Sequence, residues 1–141
     1  MFHPGTQTLI DHWATLPDTG RIPARTHLEP MRLGRLVPQL FTADRAVEGA
    51  TFRLAGEWIE TLHGRTMQGV RWLDLWATES LPLVASAVVQ TFREARPVVI
   101  VAEATRLRGG LEIVIAPMRG GNGEADRLIG LYQPVLALSL I

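Results

Sequence analysis

The chain of 141 residues contains no cysteine and no lysine, and its 14 arginines balance 14 acidic residues. The absence of cysteine excludes a structural disulfide, a thiolate nucleophile and cysteine ligands for iron–sulfur clusters or structural zinc. The absence of lysine excludes a Schiff-base or low-pKa amine mechanism. We interpret the missing lysine as biased genomic base composition rather than as a functional feature.

The chain also lacks net charge and a long apolar segment. A formal charge of zero provides no excess of cations for non-specific nucleic-acid binding, so no nucleic-acid partner is expected. The longest apolar-rich stretch, Leu128 to Ile141, is interrupted by polar residues and is shorter than the ~20 residues of a membrane span. No signal peptide is readable in Met1 to Gly5, which favours a cytoplasmic location.

The length and the 47% hydrophobic content indicate one compact domain with one sizeable core. Apolar residues at helical spacing predict a helix over Thr8–Leu16, ended by the turn cluster Pro17–Gly20. A second short helix is predicted over Glu29–Leu36, with a proline in its first turn. We therefore assign residues 1–39 to an N-terminal helical segment and residues 40–141 to the core.

The first helix carries an apolar stripe that has to be buried. The stripe consists of Leu9, Ile10, Trp13 and Leu16. Packing against its own domain and packing against a second subunit are both open, and the second alternative makes this the dimer helix.

The core alternates between segments with the two-residue periodicity of strands and segments with the 3.6-residue periodicity of helices. Strands are predicted over Leu40–Arg45, Ala50–Ala55, Val98–Thr105, Leu111–Met118 and Arg127–Val135. Helices are predicted over Glu57–His63, Trp72–Trp76 and Thr78–Ala95. Five short strands form a single antiparallel sheet, so the fold class is α+β, with short helices and one longer helix covering one face. A pocket would lie between the sheet and those helices.

This order of elements resembles the PAS fold. The residues that carry the likeness are Phe52-Arg53-Leu54-Ala55-Gly56, Trp58-Ile59, Leu62, Gly64-Arg65, Gly69 and Leu73-Asp74-Leu75-Trp76, with Gly56, Gly64, Gly69 and Asp74 as the fold signature. More closely, the chain resembles a bacterial PAS-like family of short single-domain proteins of largely unknown function. Its members commonly open with a His-Pro helical segment like the one from His3 to Trp13.

The resemblance implies binding of a small molecule or a protein and dimerisation through the sheet or an N-terminal helix, with no shared enzyme reaction. Light sensors similar to PAS domains attach their chromophores to cysteine, which is absent here. Oxygen sensors similar to PAS domains hold haem through a histidine of the long helix, and Thr78–Ala95 contains none. We therefore predict no cofactor, and we regard haem ligation by His63 as improbable.

Metal binding is not indicated either. The four histidines, His3, His12, His27 and His63, show no metal-ligand spacing and are interpreted as surface or capping residues. The segment Gly120–Gly123 is interpreted as a hairpin turn, because neither helix character nor a lysine follows it as in a phosphate-binding loop.

Three tryptophans, Trp58, Trp72 and Trp76, lie in the helices expected to cover the sheet. They either line an aromatic pocket or fill the core. If a ligand is bound, Arg53 and His63 are the candidate polar contacts, because arginine can fork onto a carboxylate; Arg53 pointing to solvent is equally open. The full candidate pocket is Arg53, Trp58, Leu62, His63, Trp72, Trp76 and Phe92.

Asp74 is the acid most suited to acid–base chemistry, yet its position favours a helix cap. A pair of His63 and Asp74 requires the fold to bring the two within hydrogen-bond reach.

The function we expect is a sensory or regulatory PAS-like module that binds a small apolar or carboxylate-bearing molecule, or a partner protein, and dimerises. We expect no enzyme activity and no effector domain in the chain. The alternatives are a small acid–base enzyme that uses His63 and a cavity carboxylate, and a scaffolding dimer without a ligand.

Overall fold

The computed structural model describes residues 2–17, 22–24, 30–105, 107–135 and 139–140. The α-helices are α1 (Pro4–Thr15), α2 (Glu57–His63) and α3 (Leu81–Glu94). Two 3₁₀ helices span Pro30–Gln39 and Trp72–Leu75. The strands are β1 (Leu40–Ala46), β2 (Gly49–Ala55), β3 (Val98–Ala102), β4 (Leu107–Arg108), β5 (Leu111–Met118), β6 (Arg127–Pro134) and β7 (Ser139–Leu140).

Five strands form one antiparallel sheet in the order β2-β1-β6-β5-β3, which confirms the predicted α+β fold. The first two predicted strands pair as a hairpin, β1–β2, and the last three form a meander of β3, β5 and β6. A second sheet of only two short strands, β4 and β7, was not predicted. Within the described residues no helix is long and apolar enough to cross a bilayer.

The helix starts differ from those predicted because of caps and prolines. Helix α1 begins at Pro4, four residues before Thr8, because Nδ1 of His3 accepts the Gly5 N–H at 3.0 Å and a proline suits the first turn. This confirms a capping role for His3. Helix α3 begins at Leu81, three residues later than predicted, with Pro82 again in the first turn.

The two faces of the sheet carry separate cores. Helices α2 and α3 and the second 3₁₀ helix cover the inner face, and α1 packs on the outer face against β5 and β6. The outer core consists of Leu9, Leu16, Leu33, Val114, Ala116, Met118, Ile129 and Leu131, with Ile10 and Trp13 partly buried against it. The indole N–H of Trp13 also donates to the Pro117 carbonyl at 2.9 Å. The apolar stripe of α1 thus lies on its own sheet.

Two glycines have structural roles that other residues cannot fill. Gly64 ends α2 in the left-handed conformation, with φ 73°. Gly130 lies directly opposite Phe41 in the sheet, and a Cβ at this position would overlap the Phe41 ring. The missing side chain allows that ring to lie across β6.

Candidate functional site

The space between the inner face and the helices is occupied by a cluster of rings from five elements. The members of this inner aromatic cluster are Phe41, Phe52, His63, Trp72, Trp76 and Tyr132. Neighbouring ring centroids lie between 5.1 Å and 6.0 Å apart, most of them tilted or edge-to-face. These are the distances of directly packed aromatic side chains, so the rings themselves fill this region.

The hydroxyl of Tyr132 is the polar centre of the cluster. It accepts the indole N–H of Trp72 at 2.9 Å and lies 3.0 Å from Nε2 of His63. Because this hydroxyl accepts the hydrogen bond from the indole, it can donate its own proton to Nε2 of His63. Burial raises the pKa of Tyr132, with the Trp72 hydrogen bond opposing that rise, so the phenol is neutral.

Tyr132 was missed by the sequence reasoning. It is the only tyrosine of the chain, and with period-2 alternation it shares the inner face of β6 with Leu128. Those two features would have marked it as a buried hydroxyl in need of partners.

The other predicted pocket residues lie around this cluster. Leu62 is buried in the inner core, and Trp58 is partly buried at its margin. Phe92 is buried beneath the guanidinium of Arg45, which lies 4.4 Å from the ring centroid. The indole nitrogen of Trp76 is buried and forms no hydrogen bond with any described residue.

Arg53 does not reach the inner cluster, which corrects its assignment to an interior pocket. The register between β1 and β2 shifts so that Thr42 pairs with Leu54 and Ala43 with Phe52, leaving Arg53 in a β-bulge. Its side chain lies on the outer face, where Nη1 is 3.2 Å from Oδ1 of Asp44.

Asp74 does not cap a helix, because its carboxylate binds Nε and Nη2 of Arg71 at 3.1 and 3.0 Å. The hydrogen bond from Arg71 lowers the pKa of Asp74. Its side chain is 53% exposed, whereas His63 is 4% exposed and bound to Tyr132. The structure therefore does not assemble the acid–base pair of His63 and Asp74.

Among the residues that the structure describes, no group of three His, Asp or Glu side chains could hold a metal ion. His27 lies outside those residues.

Two adjoining pockets on the outer face form a cleft, which we call the outer-face cleft. Its apolar end, of about 320 Å³, lies between the first 3₁₀ helix and strands β1 and β2. This end is lined mainly by Leu33, Val37, Leu40, Leu54, Ala55 and Ile129. Its polar end, of about 220 Å³, shares Thr42, Leu54 and Ile129 with the first pocket.

The polar end contains two arginines that share the carboxylate of Asp44, and Arg127 also lies 3.6 Å from Oδ1 of Asp126. Arg53 and Arg127 both line it, and Nε of Arg127 lies 2.9 Å from Oδ1 of Asp44. A guanidinium presents five N–H donors, and the buried Nε of Arg127 makes no hydrogen bond of good geometry with a described residue, so these carboxylates do not satisfy both arginines. The outer-face cleft therefore joins an apolar surface to a pair of incompletely satisfied cations.

Comparison with protein families finds a match to the PAS domain model over residues 1–133. No curated protein sequence matches the chain significantly.

Solved structures share the fold at low sequence identity. The dark structure of the photoreceptor Aureochrome1 LOV is 13% identical, with a TM-score of 0.58 over 86% of this chain and 88% of that one. A light-oxygen-voltage domain studied with a flavin analogue is 18% identical, with a TM-score of 0.54 over 70% and 78%. An RNA-binding light-oxygen-voltage receptor is 23% identical, with a TM-score of 0.55 over 84% of this chain but 35% of that one.

Proposed function

The chain belongs to the PAS domain family, and from this premise we propose that it is a sensory or regulatory module that binds an amphipathic carboxylate in the outer-face cleft. The observation that carries the proposal is the continuity between the apolar end and the arginine pair of that cleft. The ligand class is a small molecule with an apolar body and one carboxylate.

The close packing of the domain interior favours a ligand site outside the core. Our proposal places no flavin, the group named for one structural neighbour, between the sheet and the helices, because the inner aromatic cluster packs rings in contact with one another there. The chain also has no cysteine for a thiol adduct. The proposed function therefore involves no light-driven step, and the Trp72 and Tyr132 side chains act as core residues.

The outer-face cleft has the size and composition of a small-molecule site. Such sites measure about 300–1,000 Å³ and combine mostly apolar walls with a few polar groups that fix orientation. Here Leu33 and Leu54 supply apolar walls, and Arg53 and Arg127 supply donors with the geometry that carboxylates accept. Asp44 occupies part of that donor set and competes with the ligand.

The proposed action is binding without catalysis. His63 is bound to Tyr132 in the interior, and Asp74 is bound to Arg71 at the surface, so Asp74 is not the cavity carboxylate that the acid–base alternative requires. A change in ligand occupancy then acts by shifting the population of conformations or contacts that this domain presents.

The experiment compares three probes by thermal shift and calorimetry: decanoate, decanol and acetate. We expect decanoate to bind more tightly than either fragment, because it alone fills both ends of the cleft. Arg53→Gln should weaken decanoate by about tenfold or more, the value of a hydrogen bond to a charged group. Asp44→Asn should instead strengthen decanoate binding, because it removes the carboxylate that both arginines share and leaves only Asp126 beside Arg127.

Arg71→Gln is the matched control, since it also removes an exposed, ion-paired arginine but lies outside the cleft. It should leave decanoate binding unchanged. Leu54→Asn should weaken decanoate and decanol alike, because it alters the apolar wall. Equal binding of decanoate and decanol, or a loss of affinity in Asp44→Asn, would overturn the proposal.

A further inference from the structure

The two edge strands of the main sheet differ in whether other residues hydrogen-bond to their outer edges. At the β2 edge, the Phe52 N–H donates to the Val70 carbonyl at 3.0 Å and the Gly69 N–H donates to the Phe52 carbonyl at 2.9 Å. The loop before the second 3₁₀ helix thus covers that edge. Strand β3 ends the sheet on the other side, and no described residue hydrogen-bonds to its outer edge within Val98–Ala102.

Glu103, the residue that follows β3, shows which backbone groups of the strand face the open edge. The Glu103 N–H donates to Oγ of Ser80 at 2.9 Å, and the Glu103 carbonyl accepts from Ala77 at 2.9 Å, so both groups point away from β5. Backbone groups alternate in direction along a strand. Val101 and Val99 therefore present their N–H and carbonyl groups to the open edge.

This edge lacks the features that normally prevent strand pairing. Exposed edges are usually protected by lysine, proline or charge within the strand, or by a covering segment. Strand β3 reads Val-Val-Ile-Val-Ala, and Val101 is 52% exposed. A groove of about 570 Å³ runs along it, with Phe2 on one side and Leu83 on the other, both nearly half exposed.

We propose that this edge pairs with the same edge of a second copy of the chain, joining the two sheets into one. An antiparallel arrangement centred on Ile100 places Val99 of each copy opposite Val101 of the other. Each of these pairs exchanges two backbone hydrogen bonds, about four in all.

The ends of the strand favour this partner and this register. Pro97 has no N–H to donate, and the backbone groups of Glu103 are already used, so the pairing segment is limited to the residues between them. In the antiparallel arrangement Pro97 of each copy lies opposite Glu103 of the other, so Arg96, which pairs with Glu94 of its own chain at 2.7 Å, comes within one position of that Glu103. Opposite charges at the two ends of one strand are complementary only to a strand running the other way.

The proposal concerns a surface that shares no residue with the outer-face cleft, and it does not depend on the proposed ligand. Light scattering over a concentration series should show a monomer–dimer equilibrium. Hydrogen exchange of the Val99 and Val101 amides should slow as the dimer fraction rises.

Val101→Pro is the sharpest variant, because it removes an N–H that points away from β5 and so spares the sheet of the monomer. Val101→Lys places a charge in the paired edge. Each should raise the dimer dissociation constant at least about tenfold while circular dichroism remains native. Val47→Lys makes the same change at a fully exposed valine in the β1–β2 turn and should dimerise as the wild type does.

A charge exchange distinguishes self-pairing from any other association. Arg96→Glu and Glu103→Arg should each weaken the dimer, and the double variant should restore it, because every contact between the two positions is then reversed. A monomer at every concentration, a dimer that leaves the Val99 amide unprotected, or a Val101→Pro dimer of wild-type strength would overturn the proposal. Binding of a different protein at this edge, while the chain itself stays monomeric, would also overturn the proposal.

Discussion

Tyr132→Phe tests whether the inner aromatic cluster is organised around a single hydroxyl. The substitution keeps the ring and removes the oxygen that lies 2.9 Å from Nε1 of Trp72 and 3.0 Å from Nε2 of His63. Tyr132 and Trp72 are fully buried. No water can therefore replace the lost partner of the indole N–H without a rearrangement of the surrounding rings.

The expected loss follows from the groups left behind. A buried donor or acceptor without its partner costs about 1–3 kcal/mol. With the Trp72 N–H and the His63 nitrogen both affected, we expect Tyr132→Phe to lower the free energy of unfolding by about 2–4 kcal/mol. For a chain of this size that corresponds to a fall in melting temperature of roughly 6–15 °C.

Urea unfolding followed by tryptophan fluorescence measures this loss, with an unchanged m value as the sign that the fold is retained. Trp72→Phe and the double variant complete a cycle. Once the indole is absent, removing the hydroxyl leaves no donor unpaired. The double variant should therefore lose less free energy of unfolding than the sum of the two single losses. A loss below about 0.5 kcal/mol in Tyr132→Phe, or strictly additive losses, would refute the shared-hydroxyl arrangement.

Three further perturbations test other parts of the fold. Gly130→Ala should lower the free energy of unfolding by about 1–3 kcal/mol through overpacking against Phe41, and an unchanged urea midpoint would contradict that contact. Trp13→Ala should destabilise the monomer without altering the oligomeric state in light scattering; loss of a dimer would instead assign α1 to an interface. Because Arg71 lowers the pKa of Asp74, the wild type should exceed Asp74→Asn in stability above about pH 4 and lose that small advantage as the pH falls further.

Local signals were sufficient wherever a feature depends on neighbours in the chain. Helix α2 has the predicted bounds because Gly56 and Gly64 bracket it and its apolar residues recur at helical spacing. Strand β5 has its predicted ends because glycine turns flank it. The link between Arg71 and Asp74 was also readable from their three-residue separation, although a cap was favoured instead.

Features that depend on register or on distant elements were not predictable in the same way. Arg53 was expected near an interior pocket, but its neighbour Phe52 faces the inner core, so alternation along β2 directs Arg53 to the outer face. The face that Phe52 takes depends on its pairing with β1. The shared hydroxyl of Tyr132 joins β6 to residues that lie 69 and 60 positions earlier in the sequence. An apolar stripe shows that α1 is amphipathic, but not which surface receives it.

Helix α1 lies between the two surfaces for which we propose binding. Leu9 packs in the outer core together with Ile129, which lines the outer-face cleft, and Ile10 lines the groove along β3. A ligand that displaces Ile129 thus acts on the same helix that borders the pairing edge. Coupling between two binding equilibria is reciprocal, so a carboxylate that strengthens pairing at β3 must itself bind the paired form more tightly by the same factor.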